Sequence, residues 1–249
     1  MDDQAYLITT YGISIAALIA FLLDATTRIA TKRALEFKDY VVYVLFFAGI
    51  YLMVPCTMYL IGKKSENIEL LKKTAVISIN NFEKRLCYQI IADNCYNGTK
   101  KDGKNAIKYY EKAIAGDYPK YSKNSKALAY LYLLKGDTEK VLQIEKDLNT
   151  KEVTPYAYIL KGDYKKALET FPNELDAEHF YLKAALLAST GKQRDAALYR
   201  SDALSAYNRK LKEIDDKFAK NEYTKNVASY KSIPSFIAKL ARDKKEYNL

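Results

Sequence analysis

The chain is poor in the residue types that build metal sites and hydrolytic active sites. Its 249 residues include one histidine, His179, and three cysteines. A catalytic site needs a nucleophile, a base and a group that orients the base, and no such set can be assembled around this histidine. Metal sites require clusters of histidine, cysteine and carboxylate at fixed spacing, and no glycine-rich phosphate loop is present either. We therefore predict no catalytic residue, no metal site and no cofactor, and we expect the protein not to be an enzyme.

Charge is scarce at the N-terminus and abundant afterwards. Residues 1–62 carry four basic and five acidic side chains, and residues 63–249 carry the remaining 36 and 25. The lysines of the larger part are scattered among acids rather than grouped in runs, which is typical of a solvated helical surface. The tyrosines beside them fall at helix-packing positions, so we expect no nucleic-acid partner.

Two uncharged stretches, residues 5–23 and 41–62, each have about the ~20 residues that a helix needs to cross a bilayer. Neither has a polar face, which argues against buried helices of a soluble protein. Acidic residues, not basic ones, precede the first stretch, and no clear small-residue cleavage site follows it, which argues against a signal peptide. The sequence therefore predicts a two-helix transmembrane hairpin over residues 1–62, with the lipid bilayer as a partner.

Small residues recur every fourth position in the first stretch. Gly12, Ala16 and Ala20 would form a seam on one helix face. Such seams let helices approach closely in lipid, where no hydrophobic force draws them together. We predict that these three residues are the packing face of the membrane hairpin.

The flanking charges bear on which side of the membrane the larger part occupies. Acids precede the first stretch, and Arg28, Lys32 and Arg33 follow it, which favours an external N-terminus and an internal loop. The larger part would then lie outside the cytoplasm, at the inner membrane. Lys63 and Lys64 after the second stretch favour the opposite, so a cytoplasmic position remains the alternative.

The rest of the chain has helical periodicity and no long alternation of the kind that strands show. We predict an all-α fold: a juxtamembrane helix over residues 63–81, helical repeats over 82–207 and capping helices over 208–249, with a break near Ile233–Pro234. The first segment of this part forms either one long helix or two helices with a break near Asn80–Asn81.

A ten-residue phrase occurs twice, as LLKGDTEKVL (133–142) and ILKGDYKKAL (159–168), with a weaker copy in STGKQRDAAL (189–198). A glycine can end a helix in the left-handed conformation, and the following aspartate can cap the next helix. We predict helix breaks at the three glycines and buried residues one turn into each second helix. The residues concerned are Gly136, Asp137, Gly162, Asp163, Tyr164 and Gly191 for the turns and their packing, and Leu142, Ala167 and Ala197 for the buried positions.

The segments KGDYKKALETF (161–171) and KNAIKYYEKAI (104–114) resemble the second-helix opening of tetratricopeptide repeats. The segment CYNGTKKDGKNAIKYYEKA (95–113) also resembles their Sel1-like relatives. The resemblance implies a short α-solenoid of helix–turn–helix units that binds other proteins, with no small-molecule ligand expected. The spacings of 26 and 29 residues between the turn glycines are shorter than the usual 34 of tetratricopeptide repeats.

Cys87 and Cys95 have two interpretations. In one straight helix they would be about 12 Å apart along the axis, too far for a disulfide. They could pair only across a turn near residues 92–94, which is what the resemblance to secreted Sel1-like proteins implies. Otherwise they are two buried free thiols.

These features together predict a membrane-anchored, non-catalytic scaffold. Its repeats would bind a protein partner of a membrane-associated complex in a bacterial envelope assembly for secretion, motility or polysaccharide export. The alternative is an accessory subunit of a membrane transporter or membrane enzyme that acts through its two spans. The uncharged stretches weaken that alternative, because ion pathways normally need ionisable residues.

Overall fold

The computed structural model describes residues 3–31, 37–115, 122–172 and 176–249. Over these residues the secondary structure consists of 13 α-helices, with no strand. The predicted all-helical class is therefore confirmed. The helices are α1 Asp3–Thr31, α2 Phe37–Lys64, α3 Ile68–Ile77, α4 Asn81–Asn97, α5 Gly103–Ile114, α6 Ser122–Lys135, α7 Thr138–Leu148, α8 Thr154–Leu160, α9 Tyr164–Thr170, α10 Ala177–Ser189, α11 Gln193–Glu213, α12 Lys217–Ala228 and α13 Ile233–Glu246.

The chain divides into two compact units, Met1–Ile91 and Ala92–Leu249. Helix α3 packs against α2 and belongs to the first unit, so this division does not fall at residue 62. Two helices, α3 and α4, follow α2 and are separated by residues 78–80, which is the second of the two predicted alternatives.

Two helices of the first unit are long and apolar enough to cross a membrane, over Tyr11–Ile29 and Tyr40–Lys64. The first of these segments extends further along α1 than the uncharged stretch, and it includes Asp24 and Arg28. These two side chains form an ion pair at 2.6 Å, and Arg28 also donates a hydrogen bond to the Tyr43 hydroxyl. The charges near this end of the helix are therefore paired. Lys32 and Arg33, on which the predicted orientation rests, lie outside the described residues.

The contact between α1 and α2 does not use the predicted small-residue seam. Gly12, Ala16 and Ala20 are exposed, and a Cβ added to Gly12 would meet nothing within 4 Å. The contact face lies roughly a third of a turn away, at 100° per residue. On it Ser14 Oγ donates to the Gly49 carbonyl at 3.0 Å, and the Phe21 and Phe46 rings stack at 4.0 Å.

The prediction for Gly12, Ala16 and Ala20 is therefore wrong for this helix pair. A hydroxyl–carbonyl hydrogen bond and an aromatic stack determine which face is used. Close approach is still achieved, because a Cβ on Gly49 would lie 3.3 Å from that of Ala17.

Three connections in the second unit repeat one backbone geometry. Gly136, Gly162 and Gly191 have φ of +83°, +74° and +84°. Each glycine N–H bonds to the carbonyl three residues back, and the next N–H bonds to the carbonyl five residues back. This pattern is the Schellman motif, which satisfies the last carbonyls of a helix and needs the left-handed conformation. The predicted breaks at these glycines are confirmed.

The residue after each of these glycines starts the next helix. The Asp137 and Asp163 carboxylates accept from the Lys140 and Lys166 N–H groups, both at 3.1 Å. Lys192 occupies the third position without a side-chain cap. Two of the three turns therefore carry the predicted aspartate caps.

Burial after the turns is offset by one residue from the prediction at two of three sites. Ala167 is fully buried as predicted, but Leu142 is only half-buried and Ala197 is exposed. Their neighbours Val141 and Ala196 are buried instead. The buried residue stands five positions after the glycine in all three copies. Tyr164, also predicted to pack there, is half-buried against the core.

The helices of the second unit pack in chain order from α5 to α11, and the C-terminal helices then return to earlier ones. The predicted boundary at residue 207 falls inside α11, and α13 begins at Ile233 as predicted. However, α13 packs against α6 and α10 rather than capping the end of a stack. Its apolar face explains this placement, because Phe236 and Leu240 are buried in the same core as Leu128 and Leu131.

Candidate functional site

A groove in the second unit is lined by five tyrosines and has a cavity volume of about 790 Å³. We call it the tyrosine groove, defined by Tyr96, Tyr130, Tyr156, Tyr230 and Tyr247. Tyr96, Tyr130 and Tyr156 come from three helices, Tyr230 from the connection between α12 and α13, and Tyr247 from the residue that follows α13. The groove therefore depends on the return of the C-terminus.

Three ion pairs also line the groove. They join Lys101 to Glu246, Lys126 to Glu152, and Lys239 to Asp243, each at 2.5 Å. The charges of these pairs balance, so the groove offers paired charges and phenol rings instead of a single strong charge. Ammonium groups also lie over the rings, since Lys101 Nζ is 4.8 Å from the Tyr247 centroid.

A hydrogen-bonded cluster couples α6 to α13. Tyr130 donates to the Asp243 carboxylate, and Lys239 Nζ contacts both the Tyr130 hydroxyl at 3.1 Å and Asp243. Burial raises the pKa of Tyr130, and the hydrogen bond to Asp243 raises it further. The phenol therefore keeps its proton and acts as a donor. This cluster ties two helices that are more than 100 residues apart in the chain.

The single histidine belongs to a second cluster beside the groove. The Tyr156 hydroxyl and His179 Nε2 are 2.5 Å apart, and His179 Nδ1 is 2.6 Å from Asp176 Oδ1. Burial raises the pKa of Asp176, but hydrogen bonds from the His179 ring and backbone outweigh it and lower the pKa overall. Asp176 therefore orients the ring as an acceptor of Nδ1–H, and Nε2 accepts from the phenol.

Asp176, His179 and Tyr156 stand in the order of an orienting carboxylate, a base and a hydroxyl. The sequence did not reveal this arrangement. Its hydroxyl is a poor nucleophile, because burial raises the pKa of Tyr156 well above the ordinary value. The geometry is that of an ordered structural network at the wall of the groove. Among the described residues, no cluster of three or more His, Cys, Asp or Glu side chains could hold a metal ion.

One buried carboxylate acts as a cap for a neighbouring helix. Val153 precedes α8 at the N-cap position and provides no side-chain cap. Glu145 of α7 instead accepts the Val153 N–H at 2.9 Å and the Thr154 N–H at 2.5 Å. Glu145 thus satisfies the free amide groups that a helix start leaves. Sequence reasoning missed this contact, because the connection between α7 and α8 brings Glu145 to the start of α8 and no periodic pattern marks that pairing.

Of the two interpretations of Cys87 and Cys95, the structure agrees with the one that has no disulfide. Cys87 and Cys95 lie on the continuous helix α4, and no turn separates them. Eight residues of helix separate them by about 12 Å, which is beyond the reach of a disulfide. Burial raises the pKa of the Cys87 thiol to about 12, with a further contribution from Glu83. This thiol is protonated and unreactive at neutral pH.

The other predicted site residues lie at the glycine turns, where they connect helices, and they do not line the groove. Sequence reasoning missed the groove because it assigned the tyrosines to packing alone. The available signal was composition, since 23 tyrosines stand beside nine phenylalanines. A core that needed only aromatic bulk would have no use for so many hydroxyls. Comparisons with models of known protein families, with curated proteins and with solved structures find no match to this chain.

Proposed function

We propose that the protein is a non-catalytic scaffold, anchored in the inner membrane by α1 and α2, whose second unit binds a protein partner of an envelope assembly. The tyrosine groove is the observation that carries this proposal. Tyrosine is enriched at protein interfaces because it combines apolar area with a hydroxyl and loses little entropy on binding. The rim of paired charges would orient the partner and disfavour wrong ones.

The repeated turns support the scaffold role. Three connections of one geometry join α6 to α7, α8 to α9 and α10 to α11, as in the helix–turn–helix units of tetratricopeptide and Sel1-like repeats. We propose that these pairs form a short α-solenoid of that kind. The return of α13 makes it more closed than an open repeat array, and it adds Lys239, Asp243 and Tyr247 to the groove.

The two apolar helices support the anchor. Each is longer than the ~20 residues that a bilayer core requires, and both expose apolar side chains along their length. We place the second unit outside the cytoplasm, on the charge asymmetry around the first span. Protease added to intact spheroplasts would digest the second unit there, and full protection would show that it is cytoplasmic.

Site-specific photo-crosslinking in cells tests partner binding. A photoreactive residue at Lys126, an exposed position on the groove, should crosslink to one protein. The control position is Leu198, which is equally exposed in the same unit but does not line the groove. The product should disappear when Tyr230 is replaced by alanine. Crosslinking at Leu198 but not at Lys126 would contradict the groove as the binding site.

A further inference from the structure

Helix α3 folds back against the end of the second apolar helix. A three-residue turn separates it from α2, and the Asn67 side chain caps α3 by accepting from Leu70 N–H at 3.0 Å. Leu71 then lies against Gly62, where an added Cβ would be 2.9 Å from Leu71 Cδ2. Gly62 therefore permits a close contact, and a larger residue there would require the Leu71 side chain to move.

The direction of α3 is back along α2. Its first turn meets Gly62, and Ser78, the residue that follows its far end, donates a hydrogen bond to Glu83 of α4. The Glu83 carboxylate lies within electrostatic range of the Cys56 thiol. Cys56 is eight residues before Lys64, the end of the apolar segment, which is about 12 Å along the helix. The C-terminal end of α3 thus lies beside an inner part of the apolar segment.

The face of α3 that points away from α2 is apolar at this end. Leu71, Thr74 and Ala75 are buried. Val76 is 79% exposed, Ile77 41% and Ile79 66%. Exposed aliphatic residues in a short run are costly in water and favourable in the outer acyl region of a bilayer.

Lysines accompany this apolar surface. Lys63 and Lys64 end α2, and Lys72 and Lys73 stand in the middle of α3. Long lysine side chains can reach from the apolar boundary to the headgroups. Basic residues next to a span are attracted to an anionic membrane surface. Glu66 and Glu69 offset two of these four charges, and Glu69 pairs with Lys72 at 2.7 Å. Residues 63–79 keep a net charge of +2, which fits anionic lipid.

We propose that α3 and residues 78–79 form an interfacial membrane element, with Val76, Ile77 and Ile79 inserted at the boundary of headgroups and acyl chains. Lys72 and Lys73 bind the headgroups of anionic lipids. The proposal rests on the membrane anchor proposed above. It makes the membrane unit a span pair with a third, partly inserted helix, which holds the start of α4 close to the surface.

Single tryptophans test this directly, because the chain contains none. Val76→Trp and Ile79→Trp report on α3. Phe47→Trp, 66% exposed on α2, is the control inside the span, and Phe218→Trp, 69% exposed on α12, is the control outside the membrane. Each full-length variant is reconstituted in phosphatidylcholine vesicles with one third phosphatidylglycerol, with and without brominated acyl chains.

We expect brominated lipid to quench Phe47→Trp and both α3 variants, whose emission is also shifted to the blue. Phe218→Trp should be unaffected by bromine and quenched by iodide in solution. Replacing Lys72 and Lys73 with glutamine should reduce the quenching of Val76→Trp in anionic vesicles and leave it unchanged in neutral ones.

The outcomes separate the two proposals. If only Phe47→Trp is quenched by brominated lipid, the interfacial assignment of α3 is wrong and the anchor stands. If Phe47→Trp is not quenched, the anchor itself fails. If the blue shift of Val76→Trp disappears as the protein is diluted below one chain per vesicle, a second copy covers this face and the lipid assignment is overturned.

Discussion

Ala196 and Ala197 are adjacent in α11, and they should respond oppositely to the same substitution. Ala196 is fully buried, whereas Ala197 is exposed. Glutamate at position 196 must place a side chain and a charge where the structure has room for a methyl group. Overpacking alone costs about 1–3 kcal/mol, and a buried unpaired charge adds to this. We expect Ala196→Glu to lower the free energy of unfolding by about 4 kcal/mol, and Ala197→Glu to change it by no more than about 0.5 kcal/mol.

The pair is matched, so that other effects cancel. Both substitutions change helix propensity by the same few tenths of a kcal/mol, and both place a carboxylate near the start of the same helix. Their effects on the unfolded chain are also alike. Urea unfolding of the full chain in detergent, followed by circular dichroism, measures the difference. With a slope of about 2 kcal/mol per molar urea, the midpoint of Ala196→Glu should fall by about 2 M.

Equal midpoints for the two variants would refute the reasoning. Burial at the fifth position after the turn glycine would then not be a property of the repeat. A larger loss of stability for Ala197→Glu than for Ala196→Glu would support the prediction from sequence, in which Ala197 is buried. Ala167→Glu extends the test, since Ala167 occupies the same position after Gly162, and it should behave like Ala196→Glu.

Three further predictions follow from single contacts. Glu145→Ala should lower the free energy of unfolding by about 2–3 kcal/mol, because it leaves buried N–H groups at the start of α8 without their charged acceptor; urea unfolding measures this, and Glu145→Gln should recover part of the loss. Gly103→Ala should speed amide hydrogen exchange at the C-terminus, because the new Cβ would lie 2.7 Å from Leu249 Cγ. Gly136→Ala should leave that exchange unchanged and lower the free energy of unfolding by about 1–2 kcal/mol, because alanine disfavours the positive φ at this position. Burial raises the pKa of Glu83 above its ordinary 4.5, so its contribution to stability is complete below pH 4.5 and is lost as the pH rises through the folded-state pKa. Thermal unfolding between pH 4 and 8 should show a steeper loss of stability in the parent than in Glu83→Gln, where Asp93 and Glu178, whose pKa values burial also raises, still contribute.

Local rules predicted the parts of the fold that local chemistry determines. The glycine turns could be predicted because a glycine that ends one helix, followed by an aspartate that caps the next, is compatible with few other local structures. The two apolar helices could be predicted because neither sequence has the polar face of a helix that is partly exposed to water. Both features depend on residues that are close together in the chain.

The errors arose where a choice between faces depends on a partner. A seam of small residues shows where α1 could approach another helix, but α2 instead meets the face that carries Ser14 and Phe21. Likewise, the predicted burial of Leu142 and Ala197 misses by one position. One residue along a helix is 100° of rotation, and only the neighbouring helix decides which side is covered.

The tyrosine groove could not be predicted, because its contacts join distant parts of the chain. Tyr130 is bonded to Asp243, and Gly103 N–H donates to the Tyr247 carbonyl at 2.8 Å. Neither pairing produces a periodic pattern in the sequence. Periodicity indicates which residues are buried, but it does not show that the hydroxyl of a half-buried tyrosine needs an acceptor more than 100 residues away.

The return of α13 also determines how the groove can work. A tyrosine whose ring is buried and whose hydroxyl is bonded to an acid on another helix has little freedom to reorient. If the groove binds a partner as proposed, it is formed beforehand, and binding does not have to supply the entropy of ordering these side chains. The same contacts hold α13 in place, so any partner that displaced α13 would have to replace a buried core, including Phe236 and Leu240, as well as the polar clusters. Partner binding that preserves α13 is thus energetically favoured over binding that displaces it.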